Sequence, residues 1–253
     1  MYQVDYNSYR SVRGFNRRVR FLIIHYTSIN FGNSIVSLTG ASVSAHYLVP
    51  NPSDKSYADA GFKNMRIFNL VHEHERAWHA GDSSWDGRSN LNDISIGIEI
   101  VNLASDNEGV FIFPPYNPIQ IDAIKELMKN ILQRYPDILP MNVIGHSDIS
   151  PGRKSDPGSA FPWKDLYMTG IGAWFDKKTK DKYIGEFRRF LPSKEDVCGM
   201  LKRYGYDTSI SESDIGYEQL IRAFQLHFRS CNYSGKLDAE TAAILYALVE
   251  KYR

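Results

Sequence analysis

The segment from 145 to 158 reads Gly-His-Ser-Asp-Ile-Ser-Pro-Gly-Arg-Lys-Ser-Asp-Pro-Gly, and it holds an imidazole, two carboxylates and an ammonium. Its two prolines and three glycines predict a rigid loop with no helix running through it. Lys154 and Asp156 stand two residues apart, and the proline after Asp156 favours extended backbone, so both side chains should project to the same side. The apolar run Met141–Ile144 predicts a strand that delivers His146 to this loop.

Two further polar side chains belong to predicted strands. Residues 21–24 form a short apolar run, typical of a strand buried on both faces, and His25 closes it. In the segment 94–102, isoleucines alternate with small residues, and Glu99 falls on the face opposite the isoleucines. A carboxylate in a central strand is costly to bury unless it faces a polar cleft or a cation. Both side chains are therefore candidates for a site at a sheet edge.

A catalytic zinc site is one chemistry that these residues could support. Such a site typically takes three nitrogen or oxygen ligands from the protein and keeps one position open. His25, His146 and Asp156 could supply the ligands where strand ends meet. Asp148 is set aside, because its simplest role is a hydrogen bond within its own loop. Spacing alone leaves the remaining histidines of this half as competitors, namely His46, His72, His74 and His79.

Each of these features also has a purely structural interpretation. Lys154 and Asp156 could form an ion pair on a surface loop, and His25 could be a satisfied core histidine. Glu99 could lie in solvent at a strand edge. The residues alone leave these alternatives open.

The remaining patterns supply the elements that would position a site. Residues 1–20 are polar and basic and indicate a lead-in on the surface. The alternation of residues 41–50 predicts a strand, and a hairpin strand is expected within 65–73. Apolar residues at helical spacing predict a helix over 118–135.

The composition changes near residue 176, where a charged run over 176–182 indicates a solvated linker. Three helical patterns follow it, at 194–204, 217–228 and 239–252. We therefore expect a first domain over residues 1–180 and a small helical domain over residues 181–253. His227 is the one histidine of that second domain, and we expect it to serve packing.

Composition excludes several classes of protein. The 253 residues include 43% hydrophobic residues and carry a net charge of +1, which suits a packed globular chain and gives no sign of nucleic-acid binding. No apolar run is long enough for a transmembrane helix. Cys198 and Cys231 form no CxxC pair, so a cysteine zinc site is excluded. Both cysteines are expected to be buried, and a disulfide between them stays open.

Five segments, taken in chain order, resemble a known family. They are Phe21-Leu-Ile-Ile-His25, Ser44-Ala-His-Tyr47, Ala77-Trp-His-Ala-Gly81, Asn92-Asp-Ile-Ser-Ile-Gly-Ile-Glu99 and the polar loop 145–158. Together they resemble the zinc-dependent N-acetylmuramoyl-L-alanine amidases of the amidase type 2 family, and within it the anhydro-muramyl branch. The resemblance covers about residues 18–170. Residues 181–253, which contain Ala223-Phe-Gln-Leu-His-Phe228 and Gly235-Lys-Leu-Asp-Ala-Glu-Thr241, resemble the peptidoglycan-binding helical domain often appended to it.

The resemblance implies an α/β fold, with a central mixed sheet flanked by helices and a small C-terminal three-helix domain. It implies one Zn²⁺ per chain, hydrolysis of the amide between N-acetylmuramic acid and L-alanine, and peptidoglycan or muropeptides as substrate. By position, the ligands would be His25, His146 and Asp156. Glu99 matches the catalytic carboxylate and Lys154 the basic group that would hold the oxyanion, while Tyr47 could line the cleft.

Two other functions remain as alternatives. A non-catalytic peptidoglycan recognition module on the same fold predicts loss of a ligand or of Glu99, and all of them are present. The second alternative is a zinc hydrolase of another amide, such as a small peptide. The C-terminal domain argues against it, because a wall-binding domain suits a polymer or wall-derived substrate. The first residues lack the pattern of an export signal. We therefore expect a monomer in the cell envelope, periplasmic or attached to the outer membrane, if such a signal has been removed, and otherwise in the cytoplasm. The preferred sugar form and peptide length stay open.

Overall fold

The computed structural model of the protein describes residues 2–15, 17–107 and 109–253. Its strands are β1 (Phe21–Tyr26), β2 (Tyr47–Val49), β3 (Phe68–Asn69), β4 (Ser84–Trp85), β5 (Arg88–Ser89), β6 (Ser95–Ile100), β7 (Ser105–Asn107), β8 (Val110–Ile112) and β9 (Val143–Gly145). Its helices are α1 (Phe31–Leu38), α2 (Lys55–Asp59), α3 (Pro118–Arg134), α4 (His146–Ile149), α5 (Trp163–Tyr167), α6 (Lys177–Phe187), α7 (Lys194–Tyr204), α8 (Asp214–Phe228) and α9 (Ala239–Tyr252).

The central element is a mixed five-stranded sheet in the order β3-β2-β6-β1-β9. The strands β2, β6, β1 and β9 run parallel, while β3 pairs antiparallel with β2. The predicted mixed sheet is therefore confirmed, and so is the hairpin strand β3 within residues 65–73. Two small hairpins, β4–β5 and β7–β8, lie outside this sheet.

The register of the sheet brings the predicted site residues to one edge. His25 of β1 lies beside Glu99 of β6, and Ile24 lies beside Gly145 of β9. His146 follows Gly145 directly, so it leaves β9 next to the end of β1. Because neighbouring parallel strands end at the same edge of a sheet, these three side chains meet there.

The two faces of the sheet are covered by different helices. Leu22 and Ile24 of β1 belong to a core cluster with buried residues of α3. Phe21 and Ile23 belong to a second cluster that contains buried residues of α7, α8 and α9. Since alternate side chains of a strand share a face, His25 follows Phe21 and Ile23 onto the face that the C-terminal helices cover.

The C-terminal helices agree closely with their predicted ranges. The helices α7 and α9 begin and end at the predicted residues, and α8 begins three residues earlier, at Asp214. Asp238 caps α9 by accepting a hydrogen bond from the Thr241 backbone N–H. Such a cap satisfies one of the free donors of the first helical turn.

The prediction of a linker at 176–182 is wrong, because this charged run caps and begins helix α6. Tyr183 and Phe187 on this helix pack against Tyr246 of α9, and Lys180 Nζ lies 3.1 Å from Glu240 Oε1. The apolar residues that anchor α6 therefore lie after the charged ones. The boundary proposed at residue 181 falls within this helix, and the division into two domains stays a prediction.

Other local expectations need correction. The strand expected over 41–50 is confined to Tyr47–Val49, because the backbone of Ser44 bonds instead to the Trp78 carbonyl. The polar loop, in which no helix was expected, begins with the single helical turn α4, which ends before the first proline of the loop, Pro151. Cys231 is exposed rather than buried, Cys198 is half-buried, and the two are free thiols.

Residues 2–15 are exposed, as expected for a surface lead-in. Among the described helices, no segment combines the length and the apolar character that a membrane crossing requires.

Candidate active site

Three potential ligand atoms meet where β1 and β9 end. His25 Nδ1 lies 2.9 Å from both His146 Nδ1 and Asp156 Oδ2, and His146 Nδ1 lies 3.0 Å from that same oxygen. All three residues are buried, and together they form a group that could hold a metal ion. The structure thus brings together the three residues that the sequence suggested as ligands.

The group fits a zinc ion by geometry and by donor chemistry. Ligand atoms about 2.0–2.1 Å from a tetrahedral zinc lie about 3.3 Å from one another, so the observed spacing needs only a few tenths of an ångström of adjustment. Two imidazole nitrogens and one carboxylate oxygen are ligands that catalytic zinc sites use, with a fourth position left open.

The electrostatics of the three residues suit a cation. Burial, together with the adjacent His146, lowers the pKa of His25 to about 4, so its imidazole is neutral at pH 7 and keeps a free lone pair. Burial alone would raise the pKa of Asp156, but His146 and His25 hold it well below its usual range. The cluster therefore combines the neutral imidazole of His25 with the ionised carboxylate of Asp156.

The outer nitrogens of both histidines have partners that fix the rings. His146 Nε2 lies 3.0 Å from the Ala80 carbonyl oxygen, which can only accept, so this nitrogen donates and Nδ1 faces the cluster. His25 Nε2 lies 3.0 Å from His79 Nδ1, and His79 Nε2 lies 3.1 Å from Ser95 Oγ. Partners of this kind orient metal-binding imidazoles and select their tautomer.

His79 is one of the four histidines whose role the sequence left undecided. Its ring stands over Gly97, where an added Cβ would lie 2.4 Å from His79 Cγ. The backbone N–H groups of His79 and Ala80 both donate to Asn92 Oδ1, which holds this segment in place. The motif Ala77-Trp-His-Ala-Gly81 was informative only as part of the family resemblance, and spacing alone gave no sign of a supporting histidine.

Glu99 stands beside the cluster without belonging to it. Its Oε2 atom is buried and has no hydrogen-bond partner within the described ranges. Burial raises the pKa of its carboxyl well above the usual range, Asp156 adds to this effect, and Lys154 opposes it. An unpaired carboxylate oxygen with a raised pKa next to a metal site is suited to accept and return a proton.

A cavity of about 470 Å³ opens over these groups. Lys154 lines it together with Asp156, as the two-residue spacing predicted, and the Lys154 side chain is exposed. Arg153 reaches back to donate to the Ala80 carbonyl at 3.1 Å, so it braces the loop. The other lining residues include Tyr26, Thr27, Ser28, Ile29, Trp78, His79, Glu99 and His146.

The predicted substrate contact at Tyr47 needs correction. Tyr47 lies beside Ile98 in the sheet, whereas Glu99 is the next residue along β6, so the two side chains point to opposite faces. The Tyr47 hydroxyl donates to Glu73 Oε1 at 2.7 Å, away from the cavity.

The remaining competitor histidines lie apart from the ligand atoms. His46 accepts from the Gly97 N–H at Nδ1 and contacts the Glu75 carbonyl through Nε2. His72 and His74 are exposed and stack on each other.

Asp148 makes the predicted hydrogen bond within its loop, accepting from the Gly145 N–H at 2.8 Å. Its carboxylate also binds residues of the C-terminal helices, which the sequence did not predict. One of these residues is His227, whose Nδ1 lies 2.7 Å from Asp148 Oδ2. His227 therefore does more than the packing expected of it.

A mixed sheet with two histidines, an aspartate and a separate glutamate at one edge is the arrangement of a metal-dependent hydrolase. The family described as N-acetylmuramoyl-L-alanine amidase matches residues 15–159. The chain is 43% identical to N-acetylmuramoyl-L-alanine amidase AmiD of Escherichia coli, over 99% of this chain and 89% of that protein. It therefore belongs to the N-acetylmuramoyl-L-alanine amidase family and is a hydrolase of that class.

Solved structures agree over almost the whole chain. The crystal structure of AmpDh3 from Pseudomonas aeruginosa has a TM-score of 0.97 and 58% identity, covering 100% of this chain and 99% of that one. The E. coli AmiD structure has a TM-score of 0.86 and 42% identity, covering 99% of this chain and 95% of that one. That AmiD structure is a complex with anhydro-N-acetylmuramic acid-L-Ala-D-γ-Glu-L-Lys, and AmpDh3 was also solved with an anhydromuramic pentapeptide.

Proposed function

We propose that this protein hydrolyses the amide bond between N-acetylmuramic acid and L-alanine with one Zn²⁺ held by His25, His146 and Asp156. The observation that carries the proposal is the meeting of these three ligand atoms within 3.0 Å of one another. Beside them, Glu99 Oε2 is buried and unpaired. A recognition module without activity would have no use for this buried, unpaired carboxylate.

When bound, zinc supplies a Lewis acid that activates water for attack at neutral pH. Glu99 then acts as general base, taking the proton of the attacking water at its free Oε2. It later returns this proton to the leaving amine of L-alanine, so the carboxyl ends the cycle ionised as it began. The raised pKa of Glu99 suits the first step, because a stronger base takes the proton from water more readily and keeps it until the leaving nitrogen accepts it.

Lys154 stabilises the negative charge that develops on the carbonyl oxygen of the scissile amide. Its exposed ammonium lines the cavity on the same loop as Asp156, within reach of a substrate placed over the cluster. A hydrogen-bond donor aimed at a developing oxyanion commonly contributes a few kcal/mol to catalysis.

The substrates are muropeptides, including those that end in 1,6-anhydro-N-acetylmuramic acid. Both relatives at the highest structural similarity reported above were solved with anhydromuramyl peptides. The cavity above the cluster, at about 470 Å³, has room for the muramyl group and the first residues of a stem peptide.

Muropeptide digestion followed by mass spectrometry tests the activity. Zinc-loaded protein should release free peptide from a muropeptide, stop when a chelator is added and recover when zinc is returned. Anhydro and reducing-end muropeptides, offered side by side, give the sugar preference. A chain that binds muropeptides but releases no peptide from either form would be a recognition module, and the hydrolase proposal would be wrong.

We further propose that the protein acts in the cell envelope, because peptidoglycan lies outside the cytoplasmic membrane. We also propose that it acts as a monomer. In the same proposal, residues 181–253 form a peptidoglycan-binding domain. Light scattering of the purified chain, cell fractionation, and sedimentation with insoluble peptidoglycan test these three points separately.

A further inference from the structure

Asp148 is fully buried, and its carboxylate receives three hydrogen bonds. The Gly145 backbone N–H donates to Oδ2 at 2.8 Å, and His227 Nδ1 donates to the same oxygen at 2.7 Å. The Tyr206 hydroxyl donates to Oδ1. Since His227 lies in α8 and Tyr206 lies in the loop that follows α7, two of the three donors come from the C-terminal part of the chain.

Both donors are held rigidly. The His227 ring stacks on Trp163 with 3.9 Å between ring centroids and 17° between planes. Tyr206 is buried and packs edge-on against Trp85 at 4.7 Å. These contacts fix where the two donor atoms lie, and they therefore fix the Asp148 carboxylate.

Asp148 in turn holds the backbone that carries the proposed ligands. Its bond to the Gly145 N–H closes the turn in which His146 is the first helical residue. The Ser147 N–H donates to the Asp156 backbone carbonyl at 2.9 Å, which ties the third ligand to the same turn. A shift of Asp148 would therefore move both His146 and Asp156.

We propose that Tyr206 and His227 are positioning residues of the metal centre, acting through Asp148. The C-terminal helices then complete the active site, in addition to any contact they make with peptidoglycan. This inference rests on the proposed zinc site. It predicts that removing either donor weakens zinc binding and changes the coordination geometry, even though neither residue touches the metal.

The test compares Tyr206→Phe and His227→Phe with a rescue variant and a matched control. His227→Phe keeps a stacking ring without the donor, while His227→Asn keeps a donor near the Nδ1 position without the ring. Gln225→Leu is the control, because Gln225 is a fully buried residue of α8 whose bonds go to Lys236, Thr241 and Gly235, away from Asp148. It measures what a lost buried hydrogen bond in α8 does by itself.

Zinc dissociation constants, the visible spectrum of the Co²⁺-substituted protein and urea unfolding are measured for each variant. The two phenylalanine variants should bind zinc about 10- to 100-fold more weakly and show a shifted Co²⁺ spectrum. Gln225→Leu should lose stability yet keep the native zinc affinity and spectrum, and His227→Asn should recover most of the affinity.

Native zinc affinity and spectrum in Tyr206→Phe and His227→Phe would overturn the inference and leave the proposed function standing. An equal loss of zinc affinity in Gln225→Leu would also overturn it, since the effect would then be general destabilisation. Failure of the unmodified protein to bind zinc would overturn the proposed function and this inference together.

Discussion

Replacement of Glu99 by glutamine tests whether the proposed proton carrier is separate from the proposed metal ligands. The two side chains have nearly the same shape, so the cavity and its neighbours should stay in place. The amide of glutamine, however, cannot accept a proton from water. Because His25, His146 and Asp156 form the ligand group without Glu99, the variant should keep its zinc.

The size of the effect follows from the role. A positioned general base contributes roughly 10²- to 10⁴-fold to a rate, which corresponds to about 3–5 kcal/mol of activation free energy at 1.36 kcal/mol per decade. The free energy of unfolding, in contrast to the rate, should rise. Burial raises the pKa of Glu99 above its value in the unfolded chain, so ionised Glu99 costs folding free energy at pH 7 that glutamine would not cost.

The assay combines single-turnover release of peptide from a muropeptide, zinc content after dialysis, and urea unfolding at pH 7. We expect kcat to fall by at least 10²-fold, zinc content to stay at the native level, and the free energy of unfolding to rise. Asp156→Asn, which alters a ligand, should instead lose zinc. Loss of zinc from Glu99→Gln would make Glu99 a ligand, and a fall in kcat of less than tenfold would refute its role as base.

Three further predictions follow from single contacts. Gly97→Ala should lower the free energy of unfolding by about 1–3 kcal/mol and weaken zinc binding in a titration, because the new Cβ would displace His79, whereas Gly185→Ala, whose Cβ meets nothing within 4 Å, should do neither. Lys154→Ala should lower kcat by roughly 10²- to 10³-fold in the same release assay at unchanged zinc content and thermal midpoint, because its ammonium is exposed and only the oxyanion contact is lost. Burial lowers the pKa of His46 to about 4, so between about pH 6.5 and pH 4 the unfolded chain takes up a proton that the folded chain does not, and stability falls as the pH falls. In His46→Gln the free energy of unfolding, measured by urea unfolding across this window, should therefore depend less steeply on pH, by up to about 1.4 kcal/mol per pH unit.

Local sequence patterns predicted the elements that are strongly periodic. The apolar run before His25 and the alternation around Glu99 identified β1 and β6, because a buried strand must present apolar residues on the faces that pack. The C-terminal helices α7 and α9 were predicted to the residue. Helix α6 was missed, since its first turns carry charged residues and its apolar anchors Tyr183 and Phe187 lie near its end.

The spacing of residues in the sequence could suggest the three proposed ligands but could not select them from among the other histidines. Asp156 and His146 share one loop, but His25 comes from a strand far away in sequence, and four other histidines were equally available. The parallel register of β1 with β6 and β9 decides among them by placing His25 between Glu99 and the start of α4. The contacts of Tyr206 and His227 with Asp148 could not be predicted from the sequence, because they depend on how the C-terminal helices pack on the sheet.

Burial explains why these particular side chains can work together. An exposed pair of histidines would be partly protonated near neutral pH, but burial lowers the pKa of His25 to about 4 and so preserves its lone pair. The same burial disfavours a second ionised carboxylate, which raises the pKa of Glu99 while the two imidazoles keep Asp156 ionised. The carboxyl groups of Asp156 and Glu99 therefore have different pKa values within one buried site. Asp156 is suited to hold a cation, and Glu99 is suited to carry a proton. The C-terminal helices belong to this arrangement, because they cover the face of the sheet on which His25 and its partners are buried.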